Sequence, residues 1–390
     1  MAAPAGPDER KSARMAERYA RSSPGEFNVR DYQLGRHILR SPGMVQAGLG
    51  TNEVMVDDPA HAPVFFLDGE DHRRKRAAIA RFFTPRAIHN HHRPVMEAMA
   101  DELVGELRRR GRLRLDDAAW RLAVVVASEI VGLDDSRAPG MCRRLDAVLR
   151  QTDIYDMPPF RKLLASILAR INVMIFYHKD VLPAIKRRRT MYEQDIISHL
   201  LAEGYSNKAI LIECMTYATA GMATTREFIT MAAWHLFDND LLRQRFMSGD
   251  EAVQMAIIEE ILRLEPVATF LRRRAEGQQP ADGPAEIRHG TTYAIDLRAI
   301  NTDEAVTGPN PHVLDPDRAA RMKVGGPYMS FGDGSHRCPG AQVALTESRI
   351  FLDRLFRVPG LRMVKTPAIG WNSSLMSYEL RGCVIACDRP

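Results

Sequence analysis

The sequence predicts a mainly α-helical fold with a minor β portion, organised as a single domain. Three observations carry that reading. Apolar residues recur every fourth position at Val95, Met99, Leu103 and Leu107, one face of an amphipathic helix. Behind Ser206, a good helix cap, a proline-free stretch runs from 207 to 237; about 31 residues at ~1.5 Å rise make a rod on the order of 46 Å long. No shift in composition divides the chain, although its 390 residues would equal two or three domains at about 150 residues each.

Composition narrows the class. At 45% hydrophobic and 26% charged residues the chain is an ordinary globular one, which excludes disordered and fibrous classes. The net charge is +5, and the basic runs at 108–110, 186–189 and 272–274 are scattered, so no nucleic-acid partner is expected. Five widely spaced cysteines, at 142, 214, 338, 383 and 387, make a poor disulfide framework and fit a reducing cytoplasm. The first residues lack the apolar run of a signal peptide. The most apolar segment, 118–133, carries Arg121 and Glu129 and is too short to span a bilayer, so it reads as a buried helix. A cytoplasmic protein with no membrane partner is expected.

Taken in order, residues 1–25 are polar with Pro, Gly and Ser and read as a flexible arm, leaving 26–390 as the folded domain. Several helical patterns follow Val95 up to about residue 200. The 207–237 helix is apolar on several sides and should cross the core. It contains Thr216, Thr219, Ala220, Gly221, Ala223, Thr224 and Thr225, a breach of helix propensity of the kind that marks a site. Residues 250–264 form another helix, stopped by Pro266; 276–292 read as loop with short strands, and 301–335 as turns. A last helix starts just after Cys338 and runs to about Phe356.

Chemistry gathers in Phe331-Gly332-Asp333-Gly334-Ser335-His336-Arg337-Cys338-Pro339-Gly340. The glycines at 332 and 334 allow a tight loop that can lie flat against a planar ligand. Cys338 takes the cap position of the last helix, with Pro339 at the first helical residue. A thiolate there would meet the positive helix end and backbone N–H groups, which suits metal ligation. The plainer alternative, a buried small hydrophobe, serves for the other four cysteines. Asp333, Ser335 and His336 are too close in sequence for a triad, and no Gly-x-Ser-x-Gly elbow surrounds the serine. The glycines lack the Lys-Ser/Thr ending of a phosphate loop.

This segment matches the pattern Phe-x-x-Gly-x-His-x-Cys-x-Gly, and from about residue 30 to the C-terminus the sequence resembles the cytochrome P450 family of haem-thiolate monooxygenases. The resemblance implies a single-domain cytochrome P450 fold over 26–390, with haem b between the long central helix and the cysteine loop with its last helix. It implies Cys338 as the iron ligand, whose thiolate favours O–O cleavage, with Phe331 packed beside it and Gly340 ending the motif. It further implies a buried pair, Glu260 and Arg263, joined by Arg318 from Pro316-Asp317-Arg318, as support for the loop. Ala319 departs from the aromatic residue usual in the family. His72 and Arg76, spaced i, i+4, together with Arg272 and His336, would hold the haem propionates, with Arg273 a rival to Arg272. The alternative for 72–76 is a solvated basic face. His89, His91 and His92 read as surface.

On the central helix, Ala220-Gly221-Met222-Ala223-Thr224-Thr225 aligns with the family's Ala-Gly-x-acid-Thr-Thr oxygen-activation motif. By resemblance, Ala220 and Gly221 make room for oxygen, and the Thr224 hydroxyl holds it and its waters during proton delivery. The alternative is that Thr224 bonds back to the carbonyl of Ala220. The usual acid is replaced by Ala223, and Glu227, one turn on, is the candidate substitute. Residues 24–44 hold the first strand and helix, while the hairpin that precedes them in relatives is hard to find, so a substrate entrance that is more open, or closed by a partner, is expected.

The function implied is insertion of one oxygen atom from O2 into a small apolar organic substrate. Electrons would come from a separate ferredoxin or flavodoxin-type donor docking near Arg73, Arg74, Lys75 and Arg337. The rivals are a peroxide-driven peroxygenase, motivated by Ala223, and a non-catalytic haem sensor or carrier. The pocket would draw on 42–67, 157–160, Thr216, Thr219, Ala220, Ala268, Thr269, Phe270, Leu375 and Met376. That mixed lining does not single out a substrate class.

Overall fold

The computed structural model describes residues 8–13, 25–48, 58–133, 138–149, 158–276, 287–372 and 375–388. Strand β1 (Phe27–Val29), helix α1 (Tyr32–Arg40) and strand β2 (Met44–Gln46) come first, with Asp31 capping α1 through the Leu34 N–H at 2.7 Å. Helices α2 (Gly69–Ala80) and α3 (Arg93–Arg110), strand β3 (Arg112–Arg114) and helix α4 (Leu115–Val131) follow. The buried stripe of α3 is Met96, Met99, Ala100, Leu103, Val104 and Leu107, centred slightly past the expected one, so Val95 is only half-buried. The segment read as a buried helix is α4; its Arg121 escapes the core by reaching Glu102 at 2.7 Å and Glu106 at 2.5 Å.

Helices α5 (Ala138–Leu149) and α6 (Pro159–Phe176) precede a π turn at Tyr177–Val181, then α7 (Leu182–Thr190) and α8 (Ile196–Ala202). The long central helix has an interruption that its proline-free sequence hides. It runs as α9 (Asn207–Tyr217), a π turn (Ala218–Ala223) and α10 (Thr224–Asp238), with Ser206 capping through the Ala209 N–H at 3.2 Å. Next come α11 (Asp240–Ser248) and α12 (Glu251–Leu264), the latter capped by Asp250.

Strands β4 (Phe270–Ala275) and β5 (Thr292–Asp296) join the first two in a sheet of order β1-β5-β4-β2, in which only the β1–β5 pair is parallel. The last helix, α13 (Ala341–Phe356), is followed by β6 (Arg362–Lys365), β7 (Ala368–Asn372), β8 (Ser377–Arg381) and β9 (Val384–Ala386). Strands β3, β9 and β6 make a second sheet, and β7 and β8 a hairpin. One large apolar core joins α3, α4, α10, α12 and α13; a smaller one, with Val29, Ile38, Met44, Tyr293, Ile295 and Met329, lies under the first sheet.

Three expectations are corrected here. The cap of α13 is Gly340, not Cys338: the Cys338 N–H is committed to the carbonyl of Phe331, and Gly340 receives the first helical N–H, from Ala344 at 2.9 Å. Within the arm read over 1–25, residues 8–13 are anchored to the body. Lys11 N and Ser12 Oγ donate to the buried Glu265 carboxylate, Arg298 donates to Ser12 Oγ at 2.8 Å, and Glu9 bonds to His312 and Leu314. Of the histidine cluster, His92 is buried with Nε2 at 2.9 Å from the Phe82 carbonyl, while His89 and His91 are exposed. Among the described residues, no helix is long and apolar enough to cross a membrane.

Candidate active site

The loop leading to Cys338 is fixed by backbone that only glycine tolerates. Gly332 and Gly334 have φ of 72° and 68°, and a Cβ at Gly334 would lie 2.1 Å from the carbonyl oxygen of Leu39. Asp333 between them binds Arg40 at 2.9 and 3.1 Å and Arg36 at 3.5 Å, which pins the loop to α1. Burial pushes the Asp333 carboxyl up, but Arg40 and the Gly334 N–H outweigh it and hold the group below the usual range. The Gly332 N–H donates to Met329 and the Cys338 N–H to Phe331, at 2.8 and 2.9 Å.

The segment entering this loop rests on a buried ion cluster. Arg263 forks onto Glu260 at 2.7 and 2.8 Å, with Arg318 at 3.3 Å from the same carboxylate. Arg263 also donates to the carbonyl of Asn301 at 2.8 Å. Asn301 in turn donates to Ser330 Oγ at 2.8 Å and accepts from the Met329 N–H at 3.0 Å. The cluster therefore fixes 329–330, immediately ahead of Phe331.

Cys338 is the half-buried cysteine; the other four are buried, and burial pushes the Cys142 and Cys383 thiols up to about 12. Burial pushes the Cys338 thiol up as well, opposed by the Gly340 N–H and by the charges of Arg76 and Arg337. Arg76 donates to the Arg337 carbonyl, and it stands close enough to both Cys338 and Tyr217 of the central helix for their charges to interact.

His72, one turn before Arg76 on α2, is buried and stacks on His336 with ring centroids 4.0 Å apart and planes 28° apart. His336 Nε2 is 3.0 Å from Asp68. Burial, then the neighbouring His336 and Arg76, lower the pKa of His72 to about 4. The third member of this group is Arg273, not Arg272. On β4 alternate side chains face opposite ways; Leu271 faces the loop, 3.5 Å from where a Cβ of Gly332 would stand, and Arg273 shares its face. Arg273 is buried, bonds Gln46, and lies within the charge reach of Asp68 and His72. Arg272 turns the other way, to Glu26 at 2.8 Å and over the Phe270 ring.

On the central helix, Ala220 and Gly221 are exposed and Thr224 half-buried on the same side of the π turn; a Cβ at Gly221 would meet nothing within 4 Å. Thr224 Oγ1 donates to Ala220 O and Thr225 Oγ1 to Gly221 O, each at 2.7 Å. Ala223 is buried in the main core with Ala218 and Met222. Glu227 does not replace the missing acid. Both its oxygens are taken, by Leu380 N at 2.6 Å, Arg381 at 2.6 Å and Arg226 at 2.9 Å, and they tie α10 to β8.

Sequence reasoning missed Asp68 and Tyr217. The latter was discoverable, since positions 217, 220, 221 and 224 share a helical face. Lys75, read as a surface cation, is buried against Glu213 and the Ala62 carbonyl. Of the pocket wall, Thr269 donates from N and Oγ1 to Met376 O at 2.8 Å, and Ala268 bridges to Ser377, so these two segments form one surface. Phe160 is 79% exposed on α6 and is not a wall. Residues 49–57 and Met157 lie outside the described residues.

The Cytochrome P450 family profile matches residues 253–359, the stretch from the ion cluster through the cysteine loop into α13. Cytochrome P450 107B1 of Saccharopolyspora erythraea is 30% identical over 325 residues, 80% of this chain and 74% of that protein. The chain belongs to the cytochrome P450 family. The biotin biosynthesis cytochrome P450 of Bacillus subtilis is 27% identical over 87% of the chain and 85% of that protein. Cytochrome P450 structures share the fold: CYP109B1 from Bacillus subtilis has a TM-score of 0.76 at 22% identity, covering 97% of this chain and 100% of its own. Substrate-free CYP109E1 from Bacillus megaterium has 0.77 at 19%, covering 97% and 99%. As a cytochrome P450, the protein is an oxidoreductase, a haem monooxygenase whose cofactor is haem b.

Proposed function

We propose that this cytochrome P450 inserts one oxygen atom from O2 into a small apolar organic substrate, drawing electrons from a separate ferredoxin or flavodoxin-type donor. The carrying observation is the convergence on one half-buried cysteine of a glycine-forced loop and a cationic group with a single carboxylate. These residues fit haem b. Cys338 offers a soft ligand, and the Arg76 and Arg273 guanidiniums, with His72 and His336 as ring N–H donors, suit two propionates. Bound through the Cys338 thiolate, haem would supply reductive activation of O2 and transfer of its oxygen.

The chain's own residues set the conditions for that chemistry. The Gly340 N–H, with Arg76 and Arg337, offsets part of the burial that raises the Cys338 thiol. Phe331 fixes the backbone on the cysteine's other side. Ala220 and Gly221 keep the facing helix surface small. The Thr224 hydroxyl, donating to Ala220, has lone pairs left to accept from water and passes a proton on by rotating. With Ala223 buried and Glu227 fully bonded, protons reach Thr224 through water rather than from an acid on that helix.

The alanine at position 223 also favours a second reading, peroxide-driven turnover. Product formation with NAD(P)H, ferredoxin and its reductase is compared with formation from hydrogen peroxide; the monooxygenase reading requires the former to dominate. A substrate screen by the low-spin to high-spin Soret shift identifies the compound to use. The donor would dock on Arg73, Arg74 and Arg337, since Lys75 is buried, and reduction should slow steeply as salt rises.

A further inference from the structure

Helix α6 turns its larger apolar face outward. Phe160, Leu163, Leu164, Ile167, Ile171 and Met174 are 46–79% exposed. At about 100° per residue they fill one arc of the helix. The residues that face the body, Ala165, Ala169, Val173 and Phe176, fall on the opposite side. The helix thus docks through a narrow seam and leaves long aliphatic side chains in water, the reverse of an ordinary surface helix. Exposed apolar area of this extent marks an interaction surface.

Charge identifies the occupant. Between positions 159 and 179 there is no Asp or Glu, while Arg161, Lys162, Arg170 and Lys179 are all basic. Arg161 and Arg170 fall on the two borders of the apolar arc, where a long stem can lie along apolar surface with its head group in water. A cavity of about 310 Å³ beside Ile175, between α5 and α6, adds Arg143, while Arg144 in its wall is paired with Asp180. A second copy of the chain would set these acid-free faces against each other, like charge on like charge. A bilayer with anionic lipids accepts the aliphatic arc and the basic borders together.

We propose that α6 lies in the surface of an anionic lipid bilayer, its axis parallel to the membrane plane, and makes this cytochrome P450 a peripheral membrane protein. No helix of the described residues crosses the bilayer, so the contact is with its surface alone.

The test is flotation of the haem-loaded protein with phosphatidylcholine vesicles, with and without phosphatidylglycerol. Binding is expected only to the phosphatidylglycerol vesicles, with release at high salt. Arg161→Gln and Arg170→Gln should each weaken it about fivefold. An Ile167→Glu/Ile171→Glu protein should lose it while keeping the wild-type carbon monoxide spectrum, and Ile167→Ala/Ile171→Ala should weaken it without adding charge. Failure of the wild-type protein to bind, or binding unchanged in the Glu variant, overturns the proposal. So does a wild-type dimer that the Glu variant turns into monomer, since the face would then belong to a second copy.

Discussion

The cysteine loop and the π turn of the central helix are the two irregular stretches of backbone at the site, and they are held in opposite ways. The loop is held from outside. Arg36 and Arg40 of α1 grip Asp333, and the Glu260–Arg263–Arg318 cluster fixes 329–330 through Asn301. The π turn is held from within, by Thr219, Thr224 and Thr225 bonding to carbonyls four residues back. Long-range supports make the loop part of the fold, whereas local bonds leave the helix face open to adjustment. Substitutions at the loop should therefore act on stability and cofactor retention, and those at the helix on turnover.

The largest effect is expected from Arg263→Leu, which takes the bidentate partner from the buried Glu260 and leaves it the longer contact to Arg318. Removing one partner of such a pair costs about 3–5 kcal/mol, so denaturant melts should show a large loss and purified protein should lose haem absorbance. Near-normal stability would show that the loop does not depend on the cluster.

A pair of glycines gives the sharpest contrast. Gly334→Ala places a methyl against the Leu39 carbonyl at positive φ and should cost about 2–4 kcal/mol. Gly221→Ala meets open space and should raise helix stability by about 0.5–1 kcal/mol while lowering turnover. Thermal melts and product assays on both variants separate the two modes of support; equal melts would erase the distinction.

Arg273→Leu should speed haem loss to apomyoglobin about tenfold, the order expected for one charge-assisted bond, and Arg272→Leu should leave it near wild type. The reverse result would return the propionate role to Arg272. The smallest loss of stability is that of Thr224→Ala, at about 1 kcal/mol for one lost hydroxyl bond, but product formed per O2 consumed should fall. Thr225→Ala, with the same backbone bond on a buried side chain, should leave that ratio unchanged.

The same contrast explains what could be read in the sequence. The loop was legible because each residue answers a distinct demand: positive φ at 332 and 334, and at 338 a thiol suited to the proposed iron ligation. Helix identities followed from apolar period and from caps at Ser206 and Asp250. The π turn was not legible, since propensity is silent on whether a bond spans four residues or five. Arg273 was indistinguishable from Arg272 until the parity of β4 was known. Lys75 sat in a basic run that looks solvated, and its burial depends on Glu213, 138 positions later in the chain. Periodicity likewise gives an apolar face on α6 without saying whether it points in or out.

The most direct test of the central claim is the carbon monoxide spectrum of the reduced protein, recorded for wild type and for Cys338→Ser. The wild-type protein should give the band of thiolate-ligated haem, and Cys338→Ser should lose that band even when it retains haem. A thiolate band that survives in Cys338→Ser, or one absent from the wild-type protein, would contradict Cys338 as the ligand around which this site is built.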